Sequence, residues 1–138
     1  MNLSSNEIQI NASDEIIFKT LSNCNNFKQY APEVSNWTST EDSCNFSIQG
    51  IGDVEMHISE KDPFSLIVFH IKNHQIKSFV ISFTIKNNHQ SSFLIGHSKV
   101  EVPFFLAQMI KPPLQKFLNT LVERIKDVVE NNAITTSS

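Results

Sequence analysis

The feature that most constrains this chain is the stretch spanning residues 112–130. Read at helical spacing, Leu114, Phe117, Leu118, Leu121, Ile125 and Val128 fall on one face. Gln115, Lys116, Asn119, Glu123, Lys126 and Asp127 fall on the other. Nothing else in the sequence carries a helix of this length, and almost everything before it alternates with the period of a strand. One long helix with a wide apolar stripe needs a sheet curved enough to lie against it. The expected class is therefore α+β, with a curved antiparallel sheet of about seven strands wrapped around a long C-terminal helix. Two short helices are expected after the first strand.

Residues 7–12 set Ile8, Ile10 and Ala12 against Glu7, Gln9 and Asn11, the pattern of a half-buried strand. Ser13 stands where an N-cap is wanted, followed by the acidic Asp14 and Glu15 and by Ile16, Ile17, Phe18 and Leu21 at helical spacing. Asn23, Asn25 and Asn26 favour a turn, and a second short helix over residues 26–30 stops at Ala31-Pro32. From Val34 the period becomes two. Strands are expected at 34–40, 45–50, 53–60, 64–72, 77–86 and 91–102, separated by turn chemistry such as Glu41-Asp42-Ser43, Gly50-Ile51-Gly52 and Asn87-Asn88-His89. Links this short join antiparallel neighbours, so the strands form a meander.

The strand that begins at Phe64 and ends at Ile71 is apolar on both faces, with Leu66 and Val68 on one and Ile67, Phe69 and Ile71 on the other. A single sheet leaves one of those faces uncovered, and a second copy of the protein is a candidate to cover it as a homodimer. Pro103 ends the last strand. Residues 104–110 read as a helical turn before Pro112-Pro113 opens the long helix, and whether the two pieces form one bent helix stays open. Asn131 and Asn132 are expected to close it, leaving 133–138 as a frayed tail.

Composition excludes several classes. With 40% hydrophobic and 18% charged residues, the chain is globular rather than disordered, and its length suits one domain over residues 1–138. The formal charge is −3 with lysines scattered singly, which argues against nucleic acid as a partner. No apolar run is long enough to span a bilayer, and the polar, uncharged Met1 to Ser5 does not read as a signal peptide, so a cytoplasmic protein is expected. Cys24 and Cys44 are far apart in sequence and lack the spacing of a metal knuckle or redox pair. They read as two ordinary thiols, with no disulfide assumed.

The opening "EIQINASDEIIFKTLSNCNNFKQYAPEVSNW" and the closing "PPLQKFLNTLVERI" resemble the START-like, or SRPBCC, superfamily with its helix-grip fold. Within it they are similar to the small polyketide-cyclase-like and coenzyme Q-binding-like bacterial members. There a strand ending in a small residue leads into an acidic helix start, then an aromatic residue and a proline. The likeness covers essentially the whole chain as an order of elements. It implies an apolar cavity between sheet and long helix, where many members hold lipids, polyketides, isoprenoids or hormones. On that footing the expected function is binding of a small hydrophobic or amphipathic ligand such as a lipid, a quinone or a polyketide-like molecule. The alternatives are a cyclase or aromatase that uses a polar residue of the cavity, and a non-catalytic protein-interaction module.

Alternation nominates Trp37, Phe46, Ile48, Met56, Ile58, Phe79, Ile81, Phe83, Phe93 and Ile95 as the strand lining of such a cavity. The helix adds Leu114, Phe117, Leu118 and Leu121. The bland reading is that these side chains, and the 11 phenylalanines in general, fill the interior completely. His97 follows Phe93 and Ile95 in the same alternation. If that set faces the helix, His97 is a polar group in an apolar pocket, able to orient a ligand oxygen or move a proton. His74 and His89 lie in turns, Glu55 and His57 read as solvent-facing, and no acidic or thiol partner has the spacing of a metal site. Gly50-x-Gly52 leads into a strand rather than a helix, so it does not read as a nucleotide loop, and no cofactor or metal is expected.

Overall fold

The computed structural model describes the backbone of residues 1–137 and the side chains through Asn131. Eight strands form one sheet: β1 (Asn2–Ser4), β2 (Ile8–Ile10), β3 (Ser35–Ser39), β4 (Ser43–Ile48), β5 (Gly52–Asp62), β6 (Leu66–Asn73), β7 (Ile76–Asn88) and β8 (Ser91–Glu101). The order across the sheet is β1-β8-β7-β6-β5-β4-β3, with β2 also paired to β8, and every pairing is antiparallel. Between β2 and β3 come helix α1 (Asp14–Leu21) and a 3-10 helix (Cys24–Gln29); helix α2 (Phe104–Ser137) follows β8. This is the expected helix-grip arrangement, a large antiparallel sheet against one long terminal helix.

Local chemistry accounts for the boundaries. Ser13 caps α1 by accepting from the Ile16 N–H at 3.2 Å, and Asn23 caps the 3-10 helix through the Asn25 N–H at 3.0 Å. Phe64 holds a left-handed backbone, φ 66°, so β6 starts at Leu66 rather than at Phe64. The additional strand, β1, comes from the polar opening segment, where Leu3 alone points inward. Together β1 and β2 behave as one strand broken at Ser5: the Ser5 N–H donates to Gly96 O, and the Gly96 N–H donates to Ser5 Oγ, both at 2.8 Å.

Helix α2 is continuous from Phe104, with Pro112 and Pro113 inside it. Those prolines remove the donors for the carbonyls of Gln108 and Met109, two exposed residues, so water can take their place. The helix also runs past Asn131 and Asn132, which do not close it, because asparagine only weakly disfavours a helix interior. The frayed tail expected at 133–138 falls on residues whose side chains lie outside those described. Leu114, Leu118, Leu121, Val122, Ile125 and Val129 are fully buried against the sheet. At its far end Lys126 donates to Gln9 O at 2.9 Å, and Glu130 accepts from the Asn11 N–H at 2.9 Å.

Candidate ligand pocket

The interior between sheet and helix is mostly filled. Phe46, Ile48, Met56, Phe79, Ile81, Phe83, Leu114, Leu118 and Leu121 are buried as nominated, and they pack against one another in the main hydrophobic cluster. Trp37, Ile58 and Phe117 are half-buried against that cluster. Aromatic packing is densest around Phe27, which stacks on Phe46 and Trp37 and meets Tyr30 and Phe69.

Three nominated residues lie on the wrong side of the sheet. Along β8 the buried set is Ser92, Leu94, Gly96, Ser98 and Val100, so Phe93, Ile95 and His97 point outward. His97 meets Ser4 Oγ at 3.1 Å on that outer surface, beside a shallow hollow of about 290 Å³, and not in the space between sheet and helix. The reason is the closeness of α2. A β-carbon on Gly96 would lie 3.1 Å from Leu118 Cδ1, so only glycine fits where the inner face of β8 passes that leucine. Apolar alternation picks the wrong face because three of the five inner residues, Ser92, Gly96 and Ser98, are small and carry no apolar mark.

An open space remains at one end of the grip. A recess of about 360 Å³ is walled by the segment holding Tyr30, Ala31, Pro32, Glu33 and Val34, by Ile48, Gln49 and Gly50 at the β4–β5 turn, and by Pro113, Lys116, Phe117 and Thr120 of α2. Each wall has a local cause. Tyr30 caps the 3-10 helix at its C-terminal end, and Pro32 lets the chain turn out of it. Gly50 takes φ 88°, and a β-carbon there would lie 3.2 Å from the Pro113 ring, so glycine lets the turn pass against the helix. Thus Gly50 shapes the recess instead of cradling a phosphate. Of the nominated lining, Ile48 and Phe117 reach this recess.

The recess is mixed in character. Ala31, Pro32, Val34, Ile48, Pro113 and Phe117 give apolar walls; Glu33 and Lys116 stand exposed at the rim with opposite charges. Tyr30 is buried, and its hydroxyl donates to Thr20 O at 3.3 Å. Burial, with the nearby Cys24 charge, pushes its phenol well above the usual value, so Tyr30 stays neutral. It is therefore a donor already in use and a poor base. A larger depression, about 670 Å³, lies shallowly on the outer surface among polar groups including Asn45, Asp53, Glu55, Lys72 and His74. It is the more open of the two to solvent, so it would bury less of a ligand's surface.

In the sequence, Tyr30 and Pro32 mark only the end of a short helix; folding makes the segment from Tyr30 to Val34 a wall of the recess. Cys24 and Cys44, distant in sequence, are both buried, one on the 3-10 helix and the other on β4, against which that helix packs. No group of three or more His, Cys, Asp or Glu residues among the described residues is placed to hold a metal ion. No helix among them is long and apolar enough to cross a membrane.

No family model and no curated protein matches this chain. Solved structures do. A START superfamily protein from Mycobacterium smegmatis is 18% identical, with 94% of this chain and 97% of that one covered and a TM-score of 0.74. The Zhui aromatase/cyclase from Streptomyces sp. R1128 is 8% identical over 96% and 95% of the two chains, with a TM-score of 0.78. Norcoclaurine synthase from Thalictrum flavum, solved in complex with dopamine and hydroxybenzaldehyde, is 10% identical over 94% and 86%, with a TM-score of 0.74. Identities this low carry the backbone arrangement and nothing finer. On that arrangement, from the strand order to the terminal helix, the chain has the START-like helix-grip fold.

Proposed function

We propose that this chain binds a small apolar or amphipathic molecule, of the lipid, quinone or polyketide-like class, in the recess between Tyr30, Gly50 and Phe117. The observation that carries the reading is the recess itself: about 360 Å³ beside the middle of α2, with apolar residues in its walls and opposite charges at its rim. That volume is near the small end of ligand sites, roughly 300–1,000 Å³. It suits a compact ring system or the end of a chain whose polar part stays at Glu33 and Lys116. Burial of ligand surface, about 25 cal/mol per Å² before ordering costs, would drive association.

Binding is favoured over catalysis because His97, the candidate acid or base, faces outward, and Tyr30 is already engaged. The fold's occurrence in an aromatase/cyclase keeps the enzymatic alternative in view without supplying its residues. Native mass spectrometry of the purified chain, followed by titration with 1-anilinonaphthalene-8-sulfonate, oleate and a short-chain quinone, tests the reading. Thr120→Trp fills the recess from the half-exposed side of α2 and should weaken binding about tenfold or more while leaving the fold intact. Equal affinity in that variant, or no binding of any probe, sinks the proposal.

A second reading, self-association, rests on the outer sheet surface. There Leu66 and Val68 of β6 lie beside Thr84 and Ser82 of β7, and those beside Ile95 and His97 of β8. Val80 extends this half-exposed strip. Light scattering of the native chain and of Val68→Glu would separate a dimer through this face from a monomer. Residence in the cytoplasm belongs to the same proposal, supported by the free state of both thiols.

A further inference from the structure

We propose that His57 and His70 form a chelating site for a divalent transition-metal ion on the outer surface of the sheet. His57 lies on β5 and His70 on β6, and they are direct partners across that antiparallel pair. Their side chains are exposed on the face turned away from α2, with ring centroids 5.9 Å apart and planes inclined by 32°. The site is remote from the recess, none of whose walls comes from β5 or β6.

The spacing is what one shared ion requires. Two imidazoles bound to the same ion at about 2.1 Å from each ring nitrogen have centroids about 5.2 Å apart at a tetrahedral angle and about 6.4 Å apart in line. The observed 5.9 Å falls between these limits. Rotation about the side-chain bonds, free on an exposed surface, is enough to turn one nitrogen of each ring toward the ion. Those nitrogens are also uncommitted. Contact with each other is the one polar or ring interaction the two side chains make among the described residues, whereas His97 is already engaged by Ser4 Oγ.

The surroundings admit a cation. Ser43 of β4 and Val80 of β7 flank the pair in the same row, and neither brings a charge. The next row sets Glu55 opposite Lys72, one acid against one base, so it adds no net repulsion. A hollow of about 170 Å³ beside His57, lined also by Ser43, Asn45, Glu55 and Lys72, gives water room to fill the remaining coordination positions.

Imidazole nitrogen selects among ions. It suits copper, nickel and zinc, and the general order of stability places Cu²⁺ ahead of Ni²⁺ and Zn²⁺. Ca²⁺ and Mg²⁺ need sets of oxygen ligands that two histidines do not supply. The sheet keeps the second ring within reach once the first has bound, so the pair holds an ion more tightly than either histidine alone. An unfolded chain lacks that advantage, and a bound ion therefore ties β5 to β6.

The experiment titrates the full chain, free of affinity tags and chelators, with Cu²⁺, Ni²⁺ and Zn²⁺. Slightly alkaline buffer is used because a metal takes only the unprotonated ring. Calorimetry should give one ion per chain, with Cu²⁺ bound most tightly. His57→Asn and His70→Asn should each weaken Cu²⁺ binding about tenfold or more. The double variant should lose little beyond either single one, as two groups acting as a unit do. His97→Asn should bind as the native chain does. On the native chain itself, substoichiometric Cu²⁺ should first broaden the NMR signals of His57, His70 and their strand neighbours. Full affinity in either single variant, broadening centred on His97 or the amino terminus, or no binding of Cu²⁺ overturns the proposal. No apolar ligand enters these readouts, so a failed probe titration at the recess and failed metal binding are separate results.

Discussion

Leu118 occupies the space that any side chain at Gly96 would need: a β-carbon there would lie 3.1 Å from Leu118 Cδ1, with Phe83 Cε1 at 3.3 Å. Both neighbours are fully buried, so neither can swing aside. Gly96→Ala should therefore destabilise the fold by about 1–3 kcal/mol through overpacking. Leu118→Val, harmful by itself, should cost less in the alanine background, a coupling that urea unfolding of the four proteins measures. Simple additivity would mean that helix and sheet do not meet tightly here.

Phe27 joins the pocket wall to the sheet. It lies stacked on Trp37, 6.3 Å between centroids and 2° between planes, and on Phe46 at 5.6 Å. Phe27→Ala should cost about 3–5 kcal/mol. Because Trp37 is the one tryptophan of the chain, its emission should also move to the red in the folded variant. Unchanged emission with lost stability would place the damage elsewhere.

Tyr30 should make the protein sensitive to alkali. Its phenol is raised in the folded state, chiefly by burial, so its contribution is complete below the ordinary value of about 10 and is lost as pH rises toward the folded value. Tyr30→Phe forfeits the hydrogen bond to Thr20 O, about 1 kcal/mol at neutral pH. In exchange, the fall in stability above about pH 10 should be shallower than in the native chain. Parallel stability curves for the two proteins would rule this out.

At the other end of the pH scale, Glu130 acts. Burial pushes its carboxyl up, but the Asn11 N–H and the Lys126 ammonium, at 2.9 and 2.7 Å, together outweigh that and hold it below the ordinary range. Its stabilisation is present above the unfolded value of about 4.3 and disappears as pH falls through the folded value. The pair is part-exposed, so Glu130→Gln should cost less than about 1 kcal/mol at pH 7 and flatten the acid limb of the stability curve. Thermal melts between pH 2 and 7 are the check.

Ser98 offers a change in the opposite direction. Its hydroxyl is buried on the inner face of β8 and has no hydrogen-bond partner among the described residues. Replacing it with alanine removes an unpaired polar group, so Ser98→Ala should be neutral to about 1 kcal/mol more stable. A clear loss of stability would reveal a partner for that hydroxyl.

How much the sequence disclosed depended on what each residue had to signal. The long helix was legible because Leu114, Leu118, Leu121 and Ile125 repeat at its period, and β7 because Phe79, Ile81, Phe83 and Ile85 repeat at two. In β8 the same logic inverted the faces, since Gly96 is required against Leu118 and, with Ser92 and Ser98, carries no apolar mark. The recess was harder still. Its walls come from Tyr30, Gly50 and Pro113, three punctuation residues on separate elements, and only tertiary folding gathers them. Docking of the 3-10 helix on β4 is likewise a tertiary event that no local spacing encodes.

The pairing of β1 and β2 with β8 also has a bearing on how the molecule is made. Ser5 must wait for Gly96, a partner 91 residues downstream, before its hydrogen bonds exist. On a ribosome, β1 and β2 emerge well before β8 and must wait for it to find their places. Such long-range closure predicts slow folding and a nascent chain with an open sheet edge, for which a chaperone holding the early strands apart would be useful.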